Sequence, residues 1–385
     1  MRLVHIIISL ILLLLGPITS SSIVSRMVCS GAVQSGQIEK QVKVAPGQKL
    51  VLDLKTGGGV KITGWDQDTV SVKAYPGGRD SQDCTVDIEA TSDGAKVTSN
   101  YKGGRQSYST SYNFDIQVPQ QFNVEIRSAG GSLTISNVQG QMSGATGGGS
   151  ITITDAKGEA QLSTGGGSIT VKDSFLDGTV RTGGGHVVIQ NVTGDLNGSS
   201  GGGNVELRNV TRSTGKSTGD KVIIKNAGGQ IDVDNAPNGA DVKTGGGKIH
   251  IRSASGAVKA STGGGNIDID SVDGPVKAST GAGRVQVTVT GNGGDINITS
   301  GTGDITVTLP AAFSGAFDLK LGYTREDKNY QIVSDFEMSR QSTSEWSSGE
   351  GTPRKYIYGT GSVAGGKNTI HISTTNGNIY IKRGQ

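Results

Sequence analysis

The residues best suited to acid–base chemistry form two columns in which successive members are 18 positions apart. Carboxylates on stacked strands act as general acids and bases in some polysaccharide hydrolases and lyases. Opposite charges on adjacent strands also stabilise sheet register, by about 0.2–1 kcal/mol per pair. The alternating sign of charge favours the second role. A carbohydrate-active enzyme that uses Asp232 and Asp268 remains the alternative. The two columns are Asp232, His250, Asp268 and Asp234, Arg252, Asp270.

The segment Thr211–Lys221 interrupts the 18-residue spacing and is a candidate binding loop. Its Gly215-Lys216-Ser217 sequence matches the end of a phosphate-binding P-loop. That motif also needs a glycine at the position of Val210 and a helix after the loop, whereas the residues that follow have the pattern of a strand. We therefore predict a projecting polar loop whose charged groups, Arg212 and Lys216, contact a ligand.

The sequence contains no recognisable metal or cofactor motif. The repeats read TGGG followed by alternating apolar residues, without the Gly-x-Asp of calcium-binding nonapeptides. His186 and His371 have no clustered partners, and the four histidines and two cysteines show no metal-ligand spacing. We predict neither a metal nor a cofactor. Four sites would accept N-linked glycans only in a host that glycosylates: Asn191, Asn197, Asn209 and Asn297.

The charged columns belong to a repeat that extends from Ser128 to Leu309. Its clearest copies are TGGGSITITDAKGEAQLS, from Thr146, and TGGGSITVKDSFLDGTVR, from Thr164. Apolar and polar residues alternate within a copy, as expected for a strand with one buried face. A fixed period of this length indicates stacked supersecondary units. Further copies open at Thr182, Ser200, Asn226, Thr244, Thr262 and Thr280.

Glycines mark the corners of each copy. Three follow the opening residue, where they allow positive φ and leave space for a neighbouring coil. Another lies about twelve positions into the copy, as at Gly158. The strands between corners are only about five residues long, which leaves no room for helices. The sequence predicts an all-β fold, a parallel β-solenoid (β-helix) of 18-residue coils about 4.8 Å apart.

The aromatic residues define the ends of this solenoid. They are concentrated in residues 23–127 and 310–385, and Phe175 is the one aromatic residue between positions 128 and 309. Because bulky side chains can cover exposed strand edges, we predict aromatic-rich N- and C-terminal caps. Within them, Lys49–Lys61 forms a degenerate copy, and 324–353 is a polar, mobile excursion. The pattern resumes at Ile370, Ile372, Ile379 and Ile381.

Residues 1–22 have the composition of a secretory signal peptide, with Arg2 before the apolar run Ile6–Leu15 and small residues after it. The apolar run is too short to span a bilayer comfortably, so we predict no transmembrane span in the mature chain. Residues 26–28 match a lipobox poorly, which argues against a lipid anchor at Cys29. In an oxidising compartment Cys29 and Cys84 could form a disulfide.

Three stretches resemble the putative-adhesin family of bacterial envelope proteins. They are FDIQVPQQFNVEIRSAGGSLTISNVQG at 114–140, the TGGGSITI coils, and TIHISTTNGNIYIKR at 369–383. The resemblance covers most of the chain after the signal. It implies an exported β-solenoid. No ligand or catalytic residue is established for the family, so the resemblance carries no functional residue over to this sequence.

We therefore predict an exported, non-enzymatic protein that is periplasmic, at the cell surface or extracellular, with an adhesin-like or scaffolding role. Its partner would be a surface glycan or protein. A net charge of +3 without basic runs gives no reason to expect nucleic acid. A regulatory protein that relays envelope stress is a further alternative. An outward threonine column is predicted to form a regular polar binding face: Thr146, Thr164, Thr182, Thr244, Thr262 and Thr280.

Overall fold

The computed structural model describes residues 36–103, 111–211, 221–291, 293–325, 329–347 and 351–384. These ranges contain strands, one short 3-10 turn at Ser81–Asp83 and no α-helix. Nothing in them is a helix of the length and apolarity that crossing a membrane requires. The predicted signal peptide, residues 1–22, lies outside the described residues. The all-β prediction is confirmed.

The regular repeats form two rows of parallel strands. In the first row, which starts after each glycine triplet, Ile151 pairs with Ile169, and Ile169 pairs with Val187. The strands of this region are β9 (Leu133–Ser136), β10 (Gln139–Thr146), β11 (Ile151–Thr154), β12 (Lys157–Thr164), β13 (Ile169–Thr182), β14 (Val187–Thr193), β15 (Leu196–Ser200), β16 (Val205–Thr211), β17 (Val222–Lys225), β18 (Ile231–Ala236), β19 (Ala240–Thr244), β20 (Ile249–Ala254), β21 (Val258–Thr262), β22 (Ile267–Val272), β23 (Val276–Thr280), β24 (Val285–Val289), β25 (Ile296–Ser300) and β26 (Ile305–Leu309).

The longest irregularity in the repeat leaves the first row in register. Val205 of β16 pairs with Ile231 of β18, 26 positions later instead of 18. Most of the predicted loop, Thr211–Lys221, lies outside the described residues. The second row is divided at the same place, since β15 and β17 belong to different sheets. It resumes with Val222 of β17 paired to Ala240 of β19.

The aliphatic residues predicted to face inward are buried. Each side chain of this size contributes roughly 1.5–3 kcal/mol when it leaves water, so the repeated pairs supply the stabilising core. The phase of the alternation, and with it the buried face, is confirmed. The first-row members of this core are Ile151, Ile153, Ile169, Val171, Val187, Ile189, Val205, Leu207, Ile231, Val233, Ile249, Ile251, Ile267, Ile269, Val285, Val287, Ile305 and Val307.

The threonine that opens each copy is buried, so the prediction of an outward threonine column is wrong. The Oγ1 of Thr164 donates a hydrogen bond to the Gly149 carbonyl at 2.7 Å and accepts one from the Gly167 N–H at 3.3 Å. A corner carbonyl removed from water needs a donor, and the opening side chain supplies it. The same bond to the preceding corner is made by Thr146, Thr182, Ser200, Asn226, Thr244, Thr262, Thr280, Ser300 and Thr374.

The glycine triplets pack against the backbone of the preceding copy, but the predicted positive φ is absent from the triplet at 165–167. Gly165, Gly166 and Gly167 do not have the positive φ that was expected. A Cβ on Gly165 would lie 2.1 Å from the Gly147 carbonyl oxygen, and one on Gly167 would lie 2.2 Å from that of Gly149. A Cβ on Gly166 would meet nothing within 4 Å. Close stacking, not unusual dihedrals, therefore requires two glycines of the three.

Several strands are longer than the five residues predicted, because one corner is turned without interrupting the ladder. Strand β13 has 14 residues and bends at Asp173, whose φ is 50°. Asn and Asp tolerate this left-handed conformation better than other side chains with a Cβ. The amide of Asn191 donates to the Asp173 carboxylate at 2.8 Å, and that of Asn209 to Asn191 at 2.9 Å. Two of the possible glycan acceptors are thus engaged in this column, which the sequence analysis missed.

The N-terminal region contains the predicted degenerate copy. Leu52 and Leu54 are buried, β2 (Lys49–Leu54) pairs with β8 (Asn123–Ser128), and β3 (Val60–Trp65) pairs with β9, all in parallel. Antiparallel pairs β1–β4, β4–β7 and β5–β6 flank this copy. The strands are β1 (Ile38–Lys43), β2 (Lys49–Leu54), β3 (Val60–Trp65), β4 (Thr69–Gly77), β5 (Cys84–Thr91), β6 (Gly94–Tyr101), β7 (Ser111–Pro119) and β8 (Asn123–Ser128).

The C-terminal region places the last strands of the chain between the repeats and an antiparallel group. Strand β31 pairs with both β25 and β27, and β32 pairs with both β26 and β28. The pattern does resume at Ile370 and Ile379, both buried. Strands β28 and β29 lie in the predicted excursion 324–353. The strands are β27 (Gly315–Tyr323), β28 (Ile332–Ser334), β29 (Ser339–Ser342), β30 (Lys355–Val363), β31 (Asn368–Thr375) and β32 (Ile379–Arg383).

The corner contacts predict opposite outcomes for two neighbouring glycines. We expect Gly165→Ala to lower stability by about 1–3 kcal/mol, because the methyl group would force two backbones apart. The matched control Gly166→Ala should be neutral or slightly stabilising, since the methyl has open space and restricts the unfolded chain. Thermal unfolding of both variants, followed by circular dichroism, gives the comparison. Equal midpoints would contradict the packing described here.

Candidate functional site

The charged columns lie on the first row of strands, where the sequence predicts them. Strands β18, β20 and β22 pair in register, so that Asp232 is opposite His250 and His250 is opposite Asp268. The alternation of charge therefore occurs between adjacent strands. This arrangement places acidic and basic groups at hydrogen-bonding distance from one another, and the distances decide whether any carboxylate remains available to a substrate.

Asp268 is the least accessible carboxylate of this group, with the residue 8% exposed. Its Oδ2 is 2.8 Å from the Lys248 Nζ, and its Oδ1 is 3.2 Å from the Arg284 guanidinium. Both oxygens are thus engaged by cations. A general acid or base must reach the proton that it transfers, which this carboxylate cannot do without losing a partner.

His250 lies between two other carboxylates. Its Nδ1 is 3.3 Å from Asp232 and its Nε2 is 2.9 Å from Asp270. A neutral imidazole donates only one hydrogen bond, so both contacts are hydrogen bonds only when the ring carries its second proton. In the adjacent column, Arg252 is 3.2 Å from Asp234. The group is a network of mutual pairs, consistent with a role in register.

A second candidate site, which we name the Trp346 patch, lies at the C-terminal end. It consists of Trp346, Tyr323, Arg325 and Lys355. Tyr323 ends β27 and pairs with Lys355 at the start of β30. The rings of Tyr323 and Trp346 are edge to face, with centroids 5.9 Å apart. The Arg325 guanidinium carbon and the Lys355 Nζ lie 5.3 and 5.4 Å from the Trp346 ring centroid.

Hydrogen bonds beyond the end of β29 fix the segment that carries Trp346. The Thr343 N–H donates to the Tyr356 carbonyl at 2.9 Å, and the Thr343 Oγ1 accepts from the Tyr356 N–H at 2.9 Å. Ser347 and Arg354 repeat this exchange: the Ser347 N–H donates to the Arg354 carbonyl, and the Ser347 Oγ accepts the Arg354 N–H. Trp346 is therefore held by a continued antiparallel pairing with the start of β30.

Two tyrosines extend the aromatic surface along β30. Tyr356 and Tyr358 have ring centroids 6.1 Å apart, and the Lys320 Nζ lies 4.5 Å from the Tyr356 centroid. Gly322 is opposite Tyr356 in the pairing, and a Cβ there would be 3.2 Å from a ring carbon. The glycine thus accommodates the ring. Tyr356 and Trp346 also line one surface cavity of about 560 Å³.

The cations of this region differ from those of the charged columns in their partners. Lys320, Arg325 and Lys355 contact aromatic rings, and none forms an ion pair with a residue in the described ranges. A cation–π contact is worth about 0.5–1 kcal/mol at an exposed site and leaves N–H groups free to bind an anion. The sequence analysis assigned these aromatic residues to a cap and missed their cations. The available signal was Arg354-Lys355-Tyr356 close to Trp346.

The site residues predicted from the sequence fall mostly outside the described residues. Arg212, Lys216 and Cys29 all do, so the binding loop and the Cys29–Cys84 disulfide stay predictions. Cys84 is half-buried at the start of β5, and its Sγ donates to the Asp80 carbonyl at 3.8 Å. Within the described ranges, no three His, Cys, Asp or Glu side chains are grouped so that they could hold a metal.

Two groups with shifted pKa values lie on N-terminal strands and have structural causes. Burial raises the pKa of Tyr112 on β7, and the nearby Cys84 adds to the shift. On β8, the hydrogen bond from the Lys49 Nζ, 3.1 Å long, lowers the pKa of Glu125. The Lys49–Glu125 pair therefore stabilises the fold above the ordinary glutamate value of 4.5. Its contribution is lost as the pH falls through the lowered pKa.

The network predicts unequal costs for neutralising two carboxylates. Asp268→Asn should lower the free energy of unfolding by about 1.5–3 kcal/mol, because two cations lose a charged partner at a nearly buried position. Asp234→Asn is the matched control. Its pair with Arg252 is more exposed, so the cost should stay below about 1 kcal/mol. Urea unfolding measures both, and a larger loss for Asp234→Asn would refute the assignment.

Comparison with known proteins gives no family assignment. No protein-family model matches the chain, and no curated protein matches it. Three solved structures are similar at 11% identity. A putative cell adhesion protein from Clostridium sporogenes covers 90% of this chain and 99% of its own, with a TM-score of 0.23. A putative adhesin from Parabacteroides merdae covers 68% and 95%, at 0.31. A putative adhesin from Bacteroides fragilis covers 90% and 98%, at 0.26. These TM-scores are too low to support a function.

Proposed function

We propose that this chain is an exported, non-enzymatic β-solenoid that acts as an adhesin-like protein of the cell envelope. The solenoid is supported by the two rows of parallel strands, by pairing of most repeats at an interval of 18 residues and by corner glycines that contact the preceding copy. The antiparallel groups at both ends, rich in aromatic residues, fit the proposed caps. Export is supported by the composition of residues 1–22 alone.

The two cations at the ring of Trp346 carry the proposal of a binding role. In the first row, the carboxylates of the charged columns contact nearby basic side chains: Asp268 contacts Lys248 and Arg284, Asp232 contacts His250, and Asp234 contacts Arg252. At the C-terminal end, by contrast, Arg325 is exposed and Lys355 is half-buried, and both are held by the ring of Trp346. Partly exposed aromatic rings beside available charge are typical of recognition surfaces, where tryptophan, tyrosine and arginine contribute most of the affinity.

The alternative of a carbohydrate-active enzyme finds less support in the geometry. Glycoside hydrolysis uses two carboxyl groups that flank the substrate bond, one as acid and one as base or nucleophile. Asp268 has both oxygens bonded to cations, and Asp232 is bonded to His250. Neither presents the free pair that the reaction needs. We therefore assign these carboxylates to the stability of the stacked strands.

The proposal predicts binding without turnover. We expect the purified chain to bind cell-envelope material or polysaccharides from a mixed panel, with no release of reducing or unsaturated ends. Asp268→Asn should bind equally well, because the carboxylate acts in the fold and not in chemistry. Sedimentation measures binding, and reducing-sugar and absorbance assays measure turnover. Depolymerisation that disappears in Asp268→Asn would establish the enzyme instead.

A second experiment tests export. We expect expression of the whole chain in a bacterial host to yield an envelope or extracellular protein that has lost its apolar N-terminal run. Cell fractionation and mass spectrometry of the mature N-terminus give the compartment and the cleavage site together. The same spectrum shows whether Cys29 is retained and whether it carries a lipid. An intact N-terminus on a cytoplasmic protein would exclude the envelope role.

A further inference from the structure

We infer that the Trp346 patch binds a carboxylated polysaccharide, one rich in uronic acids. The inference rests on the proposed function, because it names the ligand class for the same adhesin-like role. Three features of the C-terminal strands support it: cations held by aromatic rings, a cavity lined with hydroxyl groups, and a second cation–π pair that borders the same cavity.

The two cations at Trp346 are available to an anion. Arg325 is exposed, and neither it nor Lys355 has a carboxylate partner among the described residues. The guanidinium group presents donors in a planar fork that matches a carboxylate, and the ammonium adds a compact charge. Because the indole ring holds both groups close to its own surface, less side-chain freedom is lost when an anion binds.

The cavity beside Trp346 suits the other groups of a sugar. It is an open surface depression of about 560 Å³, which suits an extended polymer that keeps one side in water. The Oγ1 of Thr343 and the Oγ of Ser347 each accept a backbone N–H, which leaves their hydroxyl protons to donate. Aromatic faces supply apolar contact for the C–H groups of a pyranose ring. The lining also includes Ser342, Ser344, Glu345, Arg354 and Tyr356.

A polymer with carboxylates along its length fits better than a single acidic sugar. Tyr356 lines the cavity together with Trp346, and its ring holds Lys320 at 4.5 Å. Because Lys355 and Tyr356 are consecutive on β30, the two cation–π pairs lie on opposite faces of that strand. A polymer that passes through the depression lined by Trp346 and Tyr356 could reach both, and linked contacts raise affinity. An acidic peptide would satisfy the same charges and hydroxyl groups, but it lacks the C–H face that a pyranose ring presents to the aromatic side chains. We therefore favour the glycan, and the test includes polyglutamate to measure binding of an acidic peptide.

The test compares oligogalacturonate with its fully methyl-esterified form and with polyglutamate, using calorimetry on the full chain. We expect binding of oligogalacturonate that weakens as salt increases, and at least tenfold weaker binding of the neutral ester. The double variant Arg325→Gln, Lys355→Gln should lose about tenfold or more in affinity. Lys243→Gln, which removes an exposed cation on β19, is the matched control and should bind as the parent does. All variants should share one thermal midpoint.

The outcomes separate this inference from the proposed function. Equal binding by the parent and the double variant, or no binding of oligogalacturonate, would overturn the inference. Tighter binding of polyglutamate would replace the glycan with an acidic peptide. In each case binding of envelope material by the double variant would leave the adhesin-like role intact. Cleavage of oligogalacturonate by the parent would instead overturn the proposed function itself.

Discussion

The contact between a corner glycine and the carbonyl of the preceding copy determines most of this structure. A Cβ at Gly165 would lie 2.1 Å from the Gly147 oxygen, so consecutive copies are as close as their backbones permit. The corner carbonyls are then removed from water, and Thr164 and its equivalents supply a hydrogen-bond donor. The spacing also fixes which residues pair. The first row consequently keeps its register where a copy is longer, as between Val205 and Ile231.

The charged side chains have different partners in the regular repeats and in the antiparallel strands at the C-terminal end. On the repeats, stacking places Asp232, His250 and Asp268 next to one another, and their attractions are used within the fold. On the antiparallel strands at the C-terminal end, Arg325 and Lys355 have an aromatic partner instead. A carboxylate partner would compete with a ligand for the same donors, whereas a ring leaves them available. The carboxylates of the charged columns are thus engaged within the fold, whereas the donors of Arg325 and Lys355 are not engaged by a carboxylate of the described residues.

The period was sufficient to predict the strands, the buried aliphatic pairs and the contacts of Asp232 with His250 and of Asp234 with Arg252, because all of them depend on residues 18 positions apart. It did not predict that Asp268 pairs with Lys248 and Arg284 or that Asp270 contacts His250. It was insufficient for Thr164, since alternation along a strand does not show that the chain turns that side chain inward at a corner. The bend at Asp173 was missed for a related reason. Its left-handed φ depends on the conformational preference of aspartate, which the spacing of apolar residues does not show. Trp346 and Arg325 are brought together by antiparallel pairing outside the repeats, so the 18-residue period could not predict their contact.

The order of strands at the C-terminal end links assembly of the Trp346 patch to the progress of translation. Strand β27, which ends at Tyr323 of the patch, pairs with β31, and β31 also pairs with β25. When Trp346 leaves the ribosome, the support for β27 has not yet been made. A nascent chain interrupted before Asn368 would contain the paired strands β27, β29 and β30 with every residue of the patch, but not β31, which joins them to β25. The antiparallel group would then have no strand that connects it to the repeats.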